Sequence, residues 1–232
     1  INRQRKAKIV TIEDPIEFVF THDKSIITQR EIGTDTASFP DALRAALRQD
    51  PDVIMVGEMR DLETVDTSLK AAETGHLVFS TIHTADVAST ISRLVSFFPH
   101  DEQLQVRARL ADNLKAVVSL RLLVNKKQNG RVPAVEVMRS TRMIQECIKD
   151  PSKTHEITEH LARARSDGMQ TFDQHLLDLL RANKISHEAA LNAASNPADF
   201  QTKLEMEGSF EEAPSDEPKP EVPFEIAESD RF

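Results

Sequence analysis

Two short apolar runs without a polar interruption, Val53-Ile54-Met55-Val56 and Leu77-Val78-Phe79, constrain this chain more than any other feature. A strand with one wet face alternates apolar and polar residues, whereas an unbroken run bounded by turn formers belongs to a strand covered on both faces, as in a parallel sheet. Each run is followed by helical periodicity. Leu62, Val65, Leu69 and Ala72 recur up to Gly75 after the first, and Val87, Ile91, Leu94 and Val95 follow the second. Strands alternating with helices at this spacing predict βα units and a mostly parallel sheet, an α/β fold. Upstream, Lys8-Ile9-Val10-Thr11-Ile12 reads as another strand running into Glu13-Asp14-Pro15, and 16–20 and 25–31 read as further extended segments. Ser38-Phe39-Pro40-Asp41 has the capping-box spacing and early proline of a helix start; Phe39, Leu43, Ala46 and Leu47 share its inner face, and Asp50-Pro51 ends it.

Beyond Pro99 the spacing predicts a long helix carrying Leu104, Leu110, Leu114, Val117 and Val118. Segments 122–124 and 132–138 then flank Asn129-Gly130, a hairpin signal. From Ser140 the strand signal ends, and helices are predicted over 142–149, 153–165, 171–182 and 186–194, the third with Phe172, Leu176, Leu179 and Leu180 inward. The expected organisation is a core over 1–139, a helical unit over 140–208 and a solvated acidic, proline-rich tail over 209–232.

Composition narrows the function classes. With 39% hydrophobic and 29% charged residues among 232, the chain can bury a core, and no window approaches the roughly 18 apolar residues of a membrane span. The basic start is not followed by a secretory apolar run, so the cytoplasm is the expected location. The single cysteine, Cys147, excludes an internal disulfide and a multi-cysteine zinc site, and reads as a small hydrophobe on a helix face. The net charge of -9 argues against a general nucleic-acid binder, and six of those nine units sit in the tail, where eight acids face Lys219 and Arg231.

In open parallel sheets, ligands bind beyond the carboxyl ends of the strands. Three polar groups fall at such ends: Glu13-Asp14-Pro15-Ile16-Glu17, Gly57-Glu58-Met59-Arg60-Asp61 and Ser80-Thr81-Ile82-His83-Thr84. A carboxylate at the end of a buried strand needs a cation or water to meet it, so Glu58 either faces Mg²⁺ and nucleotide phosphates or pairs with Arg60 or Arg30. Glu17 is placed to polarise an attacking water, with Asp14 shaping the loop or metal shell; the bland alternative is a solvated turn. Arg60 reads as a phosphate or neighbouring-subunit contact, or as a surface pair with Asp61. His83 reads as a donor that senses a phosphate oxygen and His76 as a turn cap, and either histidine can be purely structural. His155, His160 and His187 carry no partner pattern.

Taken in order, Thr11-Ile12-Glu13-Asp14-Pro15-Ile16-Glu17-Phe18, Asp52-Val53-Ile54-Met55-Val56-Gly57-Glu58-Met59-Arg60-Asp61 and Glu73-Thr74-Gly75-His76-Leu77-Val78-Phe79-Ser80-Thr81-Ile82-His83-Thr84 resemble the Asp box, Walker B and His box of the type II/IV secretion ATPase family. Gly168-Met169-Gln170-Thr171-Phe172-Asp173-Gln174 is similar to a C-terminal helix motif of its type IV pilus retraction branch (PilT/PilU-type), and the resemblance covers roughly 1–205. It implies a RecA-like P-loop NTPase core followed by a small all-α domain. It also implies a hexameric ring that hydrolyses ATP with Mg²⁺ to power pilus retraction and twitching motility, held at the inner face of the inner membrane by pilus platform proteins. Residue by residue, Glu17 resembles the general base, Glu58 the Walker B acid on the Mg²⁺ side, and His83 a residue near the γ-phosphate. Glu13, Asp14, Arg60, His76 and Thr81 fall at nucleotide-side positions.

Three departures accompany the resemblance. No tetracysteine cluster follows the His box, as it usually does in the pilus-extension and type II secretion branches. The retraction-associated Ala-Ile-Arg-Asn-Leu-Ile-Arg-Glu motif is represented only by Thr141-Arg142-Met143-Ile144-Gln145-Glu146-Cys147-Ile148-Lys149-Asp150. None of the six glycines opens a Gly-x-x-x-x-Gly-Lys-Ser/Thr loop. The start at Ile1 is therefore expected to be a cut edge, with the first strand and P-loop upstream, and a non-catalytic interaction or assembly module is the alternative for the chain as it stands.

Overall fold

A computed structural model describes residues 1–206; the expected tail over 209–232 lies outside the described residues. Four strands, β1 (Lys8–Glu13), β2 (Ile26–Glu31), β3 (Val53–Val56) and β4 (Leu77–Ser80), form one sheet in the order β2-β1-β3-β4, every pair parallel. Val53 and Ile54, which point to opposite faces, are both essentially buried, so β3 is covered on both sides as its unbroken apolar run requires. Ile12 of β1 pairs with Val56 of β3, which pairs with Ser80 of β4, so the carboxyl ends of these strands finish level.

Helix α1 (Phe39–Leu47) starts where Ser38 accepts a hydrogen bond from the Asp41 backbone, and α2 (Leu62–Glu73) where Asp61 accepts one from Thr64. Phe39, Ala42, Leu43 and Ala71 from these helices close over Ile12, Ile54 and Val56. The chain continues through α3 (Val87–Ser96), α4 (Gln103–Asn113), a nine-residue antiparallel pair β5 (Ala116–Val124) and β6 (Arg131–Arg139), and five further helices: α5 (Arg142–Lys149), α6 (Ile157–Arg163), α7 (Phe172–Arg181), α8 (His187–Ala193) and α9 (Pro197–Met206).

Five expectations change. The Leu77-Val78-Phe79 run is not covered on both faces: β4 lies at the edge of the sheet, Leu77 and Val78 are half-buried and Phe79 is exposed. The helix expected to run through Val118 stops at Asn113, because Ala116–Val124 pairs residue for residue with β6, and the β-branched Val117 and Val118 suit that ladder. Residues 16–20 form no strand: the Ile16 and Phe20 backbone N–H groups go to the side chains of Glu31 and Gln29 rather than to a neighbouring strand. The helix expected over 153–165 divides into a 3₁₀ helix over Pro151–Glu156, which starts at the Asp150 cap, and α6. Helix α9, overlooked in the periodicity, is anchored by Phe200 and Leu204 against α7 and α8 residues.

The largest apolar cluster runs from Val65 and Leu69 through α3 and α4 to Met138, Ile144, Cys147, Ile148, Ile157 and Leu161. A second joins Ala134 of β6 to α7, α8 and α9.

Candidate functional site

Gly57 brings the exit of β3 against that of β1. Its N–H donates to the Ile12 carbonyl at 2.7 Å, and a Cβ placed on it would stand 3.1 Å from the same oxygen and 3.4 Å from the Glu13 Cα, a separation only glycine holds without displacing backbone. Two residues on, the Met59 N–H donates to the Thr81 carbonyl at 3.0 Å and the Thr81 hydroxyl to the Gly57 carbonyl at 2.6 Å. These bonds tie the exit of β3 to that of β4, and Glu58 lies between them.

The Glu58 side chain is 12% exposed. One carboxylate oxygen pairs with the Arg60 guanidinium, and the other lies 3.7 Å from His83 Nε2. Arg60 also stands 3.7 Å from an Asp14 carboxylate oxygen. Side chains from three strand exits thus share one cluster. Of the two pairings open to Glu58, the structure selects Arg60 rather than Arg30. The Arg60–Asp14 contact is solvated and worth at most about 1 kcal/mol, so it positions rather than stabilises.

Glu13 is buried at the end of β1, where its carboxylate accepts from the Thr11 hydroxyl at 2.6 Å and from Gln29 Nε2 at 3.0 Å. Glu17 lies exposed on the loop after β1, with no hydrogen bond or ion pair to another described residue. That loop is pinned from β2: Glu31 accepts from the Ile16 N–H at 3.0 Å, and Gln29 accepts from the Phe20 N–H at 2.7 Å while donating to the Phe18 carbonyl at 2.9 Å. Gln29 and Glu31 escaped the sequence reading; the signal available was their place at the end of a strand parallel to β1. His76 stands at the other end of β4, with Nδ1 3.0 Å from the Ala71 carbonyl and 3.1 Å from the Thr74 hydroxyl, so within this chain it closes the turn after α2.

The donor set suits phosphate and Mg²⁺ chemistry. Carboxylate oxygens are the hard ligands that Mg²⁺ takes, and the Glu58 oxygen facing His83 is the one not engaged by Arg60. Arg60 and the exposed His83 ring supply donors beside it. Among the described residues no helix is long and apolar enough to cross a membrane.

The profile of the family described as "Type II/IV secretion system protein" matches residues 1–126, more than half of the chain. The chain is 47% identical over 196 residues to a "Twitching motility protein" of Neisseria gonorrhoeae, covering 84% of this chain and 52% of the relative. It is 46% identical over 200 residues to the "Type IV pilus retractation ATPase PilT" of Pseudomonas aeruginosa, covering 86% and 58%. A crystal structure of the pilus retraction motor PilT with bound ADP superposes with a TM-score of 0.78 at 46% identity, over 87% of this chain and 56% of that one. The chain spans about half the length of the curated relatives it matches.

Proposed function

Starting from the fact that this chain belongs to the type II/IV secretion system protein family, we propose that it supplies the hydrolytic carboxylates of an ATPase that drives type IV pilus retraction. The observation that carries this reading is the convergence of Asp14, Glu58, Arg60 and His83 from three parallel strand ends, in a chain similar over most of its length to PilT. The activity belongs to the protein that carries this chain together with a phosphate-binding loop.

In this reading Glu58 would hold Mg²⁺, directly or through water, with Arg60 balancing its charge in the metal's absence. Bound Mg²⁺ would neutralise charge on the nucleotide phosphates. Glu17, exposed and unengaged by described residues on a loop held by Gln29 and Glu31, is free to take a proton from water. His83 and Arg60 donate toward phosphate oxygens. Glu13 and Thr81 act through position: Glu13 is spent on Thr11 and Gln29, and Thr81 locks the two strand exits. His76 reaches nucleotide only from a surface that another segment or subunit completes.

We assign residues 1–139 to the RecA-like core and 140–208 to the helical unit, working in a hexameric ring docked on pilus platform proteins at the cytoplasmic face of the inner membrane. Support for a larger assembly comes from apolar side chains left open to solvent: Phe18 and Val19 on the loop after β1, and Val118, Leu120, Leu122 and Val124 along one face of β5.

The test is ATP turnover by the protein that carries this chain, with Glu17→Gln and Glu58→Gln introduced separately. Each is expected to lower turnover by about 10²-fold or more. Near-wild-type rates in either glutamine variant overturn that residue's role.

A further inference from the structure

Away from the strand exits, the structure gathers a second set of ligand-type side chains where α5, the 3₁₀ helix over Pro151–Glu156 and α6 meet. Cys147 Sγ, a carboxylate oxygen of Glu156 and a ring nitrogen of His160 all lie within 4.8 Å of one another. Glu156 and His160 are four residues apart and share a face, with His160 Nε2 4.0 Å from Glu156 Oε2. Cys147 forms the floor from α5, 1% exposed, while the Glu156 and His160 side chains are 39% and 23% exposed and form a rim open to water. The three are held in register from a fourth element: Arg107 of α4 donates one guanidinium nitrogen to the Ile148 carbonyl at 3.0 Å and to the Thr154 hydroxyl at 2.9 Å, fastening the end of α5 to the 3₁₀ helix.

We propose that Cys147, Glu156 and His160 form a three-ligand site for a thiophilic divalent cation of the zinc type, with water in the fourth position. A thiolate, an imidazole and a carboxylate are the donors this ion combines, at about 2.3 Å from sulfur and about 2.0–2.2 Å from nitrogen and oxygen. A tetrahedron of those lengths separates its ligands by about 3.3–3.8 Å, so the site closes by roughly 1 Å through rotation of the two rim side chains.

The charge around the sulfur fits a cation. The carboxylates of Glu156, Glu146 and Asp150 lie near the sulfur, with Lys153 the cation on the other side of the balance. Binding replaces the S–H bond by a metal–sulfur bond and releases one proton to solvent, leaving a site whose thiolate and carboxylate balance the two positive charges. The bound ion would bridge α5 to α6, across a face that hydrogen bonds from Arg107 already hold on the α4 side.

Cobalt(II) titration of the tag-free chain tests this, because a sulfur ligand is seen directly. The expected result is one cobalt per chain, with a near-ultraviolet thiolate-to-cobalt charge-transfer band, the visible bands of a tetrahedral site, displacement of both by zinc, and a raised melting temperature with zinc. Cys147→Ser should abolish the charge-transfer band. Glu156→Gln and His160→Gln, on the exposed rim where folding is least at risk, should each weaken binding by at least about tenfold. A spectrum without sulfur charge transfer at saturating cobalt overturns the proposal. So does unchanged affinity in both rim variants, which would reduce the site to a thiol alone.

Discussion

Gly57 is the residue on which the strand-end cluster depends most directly, because a Cβ there would stand 3.1 Å from the Ile12 carbonyl oxygen, which would have to give by a few tenths of an ångström. That oxygen is backbone of the neighbouring strand and cannot rotate away. Gly57→Ala is therefore expected to cost about 1–3 kcal/mol in urea unfolding, the range for forced overpacking, and to weaken the Met59–Thr81 and Thr81–Gly57 bonds that place Glu58. The contrast is Gly33 and Gly75, where the space is empty and a positive φ is what requires glycine. Motif position revealed the Gly57-Glu58 pair in the sequence; the reason for the glycine became visible only with β1 beside it.

At the scale of elements, one buried carboxylate joins two helix starts. Glu136 of β6 accepts from the Val87 N–H at the start of α3, at 2.8 Å, and from the Phe172 N–H at the start of α7. Both donors favour its charged form, as does Arg121, but burial outweighs them and, with Asp86 nearby, pushes the carboxyl above the ordinary value of 4.5. The folded state then holds this proton more tightly than the unfolded chain. Its contribution to stability is full below pH 4.5 and is lost as pH rises through the raised value. Glu136→Gln removes the titration, so the stability of the wild type relative to the variant is expected to fall as pH rises across that window in urea unfolding at a series of pH values. A pH-independent difference would contradict it.

At the scale of the whole molecule, the apolar cluster does not stop at residue 139. Ile144, Cys147 and Ile148 of α5, with Ile157 and Leu161 of α6, close the same core as Val87, Ile91 and Leu110 of α3 and α4. Arg107 adds a buried polar tie across that junction. Residues on both sides of 139 are thus expected to unfold in one transition. Ile148→Ala, which empties a fully buried position at the junction, should cost about 2–5 kcal/mol and move the whole transition, read by far-ultraviolet circular dichroism and by a fluorescent probe placed on α1. Two separate transitions, with only the later helices shifted, would show instead that the helical unit is independent.

The sequence by itself determined the α/β alternation, the buried β3 run, most helix starts and the three polar strand exits. All of these rest on interactions between near neighbours along the chain: side-chain periodicity, capping hydroxyls and carboxylates, and turn residues. Tertiary structure decided what near neighbours cannot. It turned Val117 and Val118 from a helix face into a ladder with β6, left 16–20 as a loop held by Gln29 and Glu31, and chose Arg60 over Arg30 for Glu58. It also set His160, which has no partner in its own sequence pattern beyond an acid one turn away, beside a cysteine thirteen residues earlier. Each of these outcomes turns on which distant segment supplies the hydrogen bond, the opposite charge or the second ligand. That choice is settled by the packing of the whole core, which no local window of residues contains.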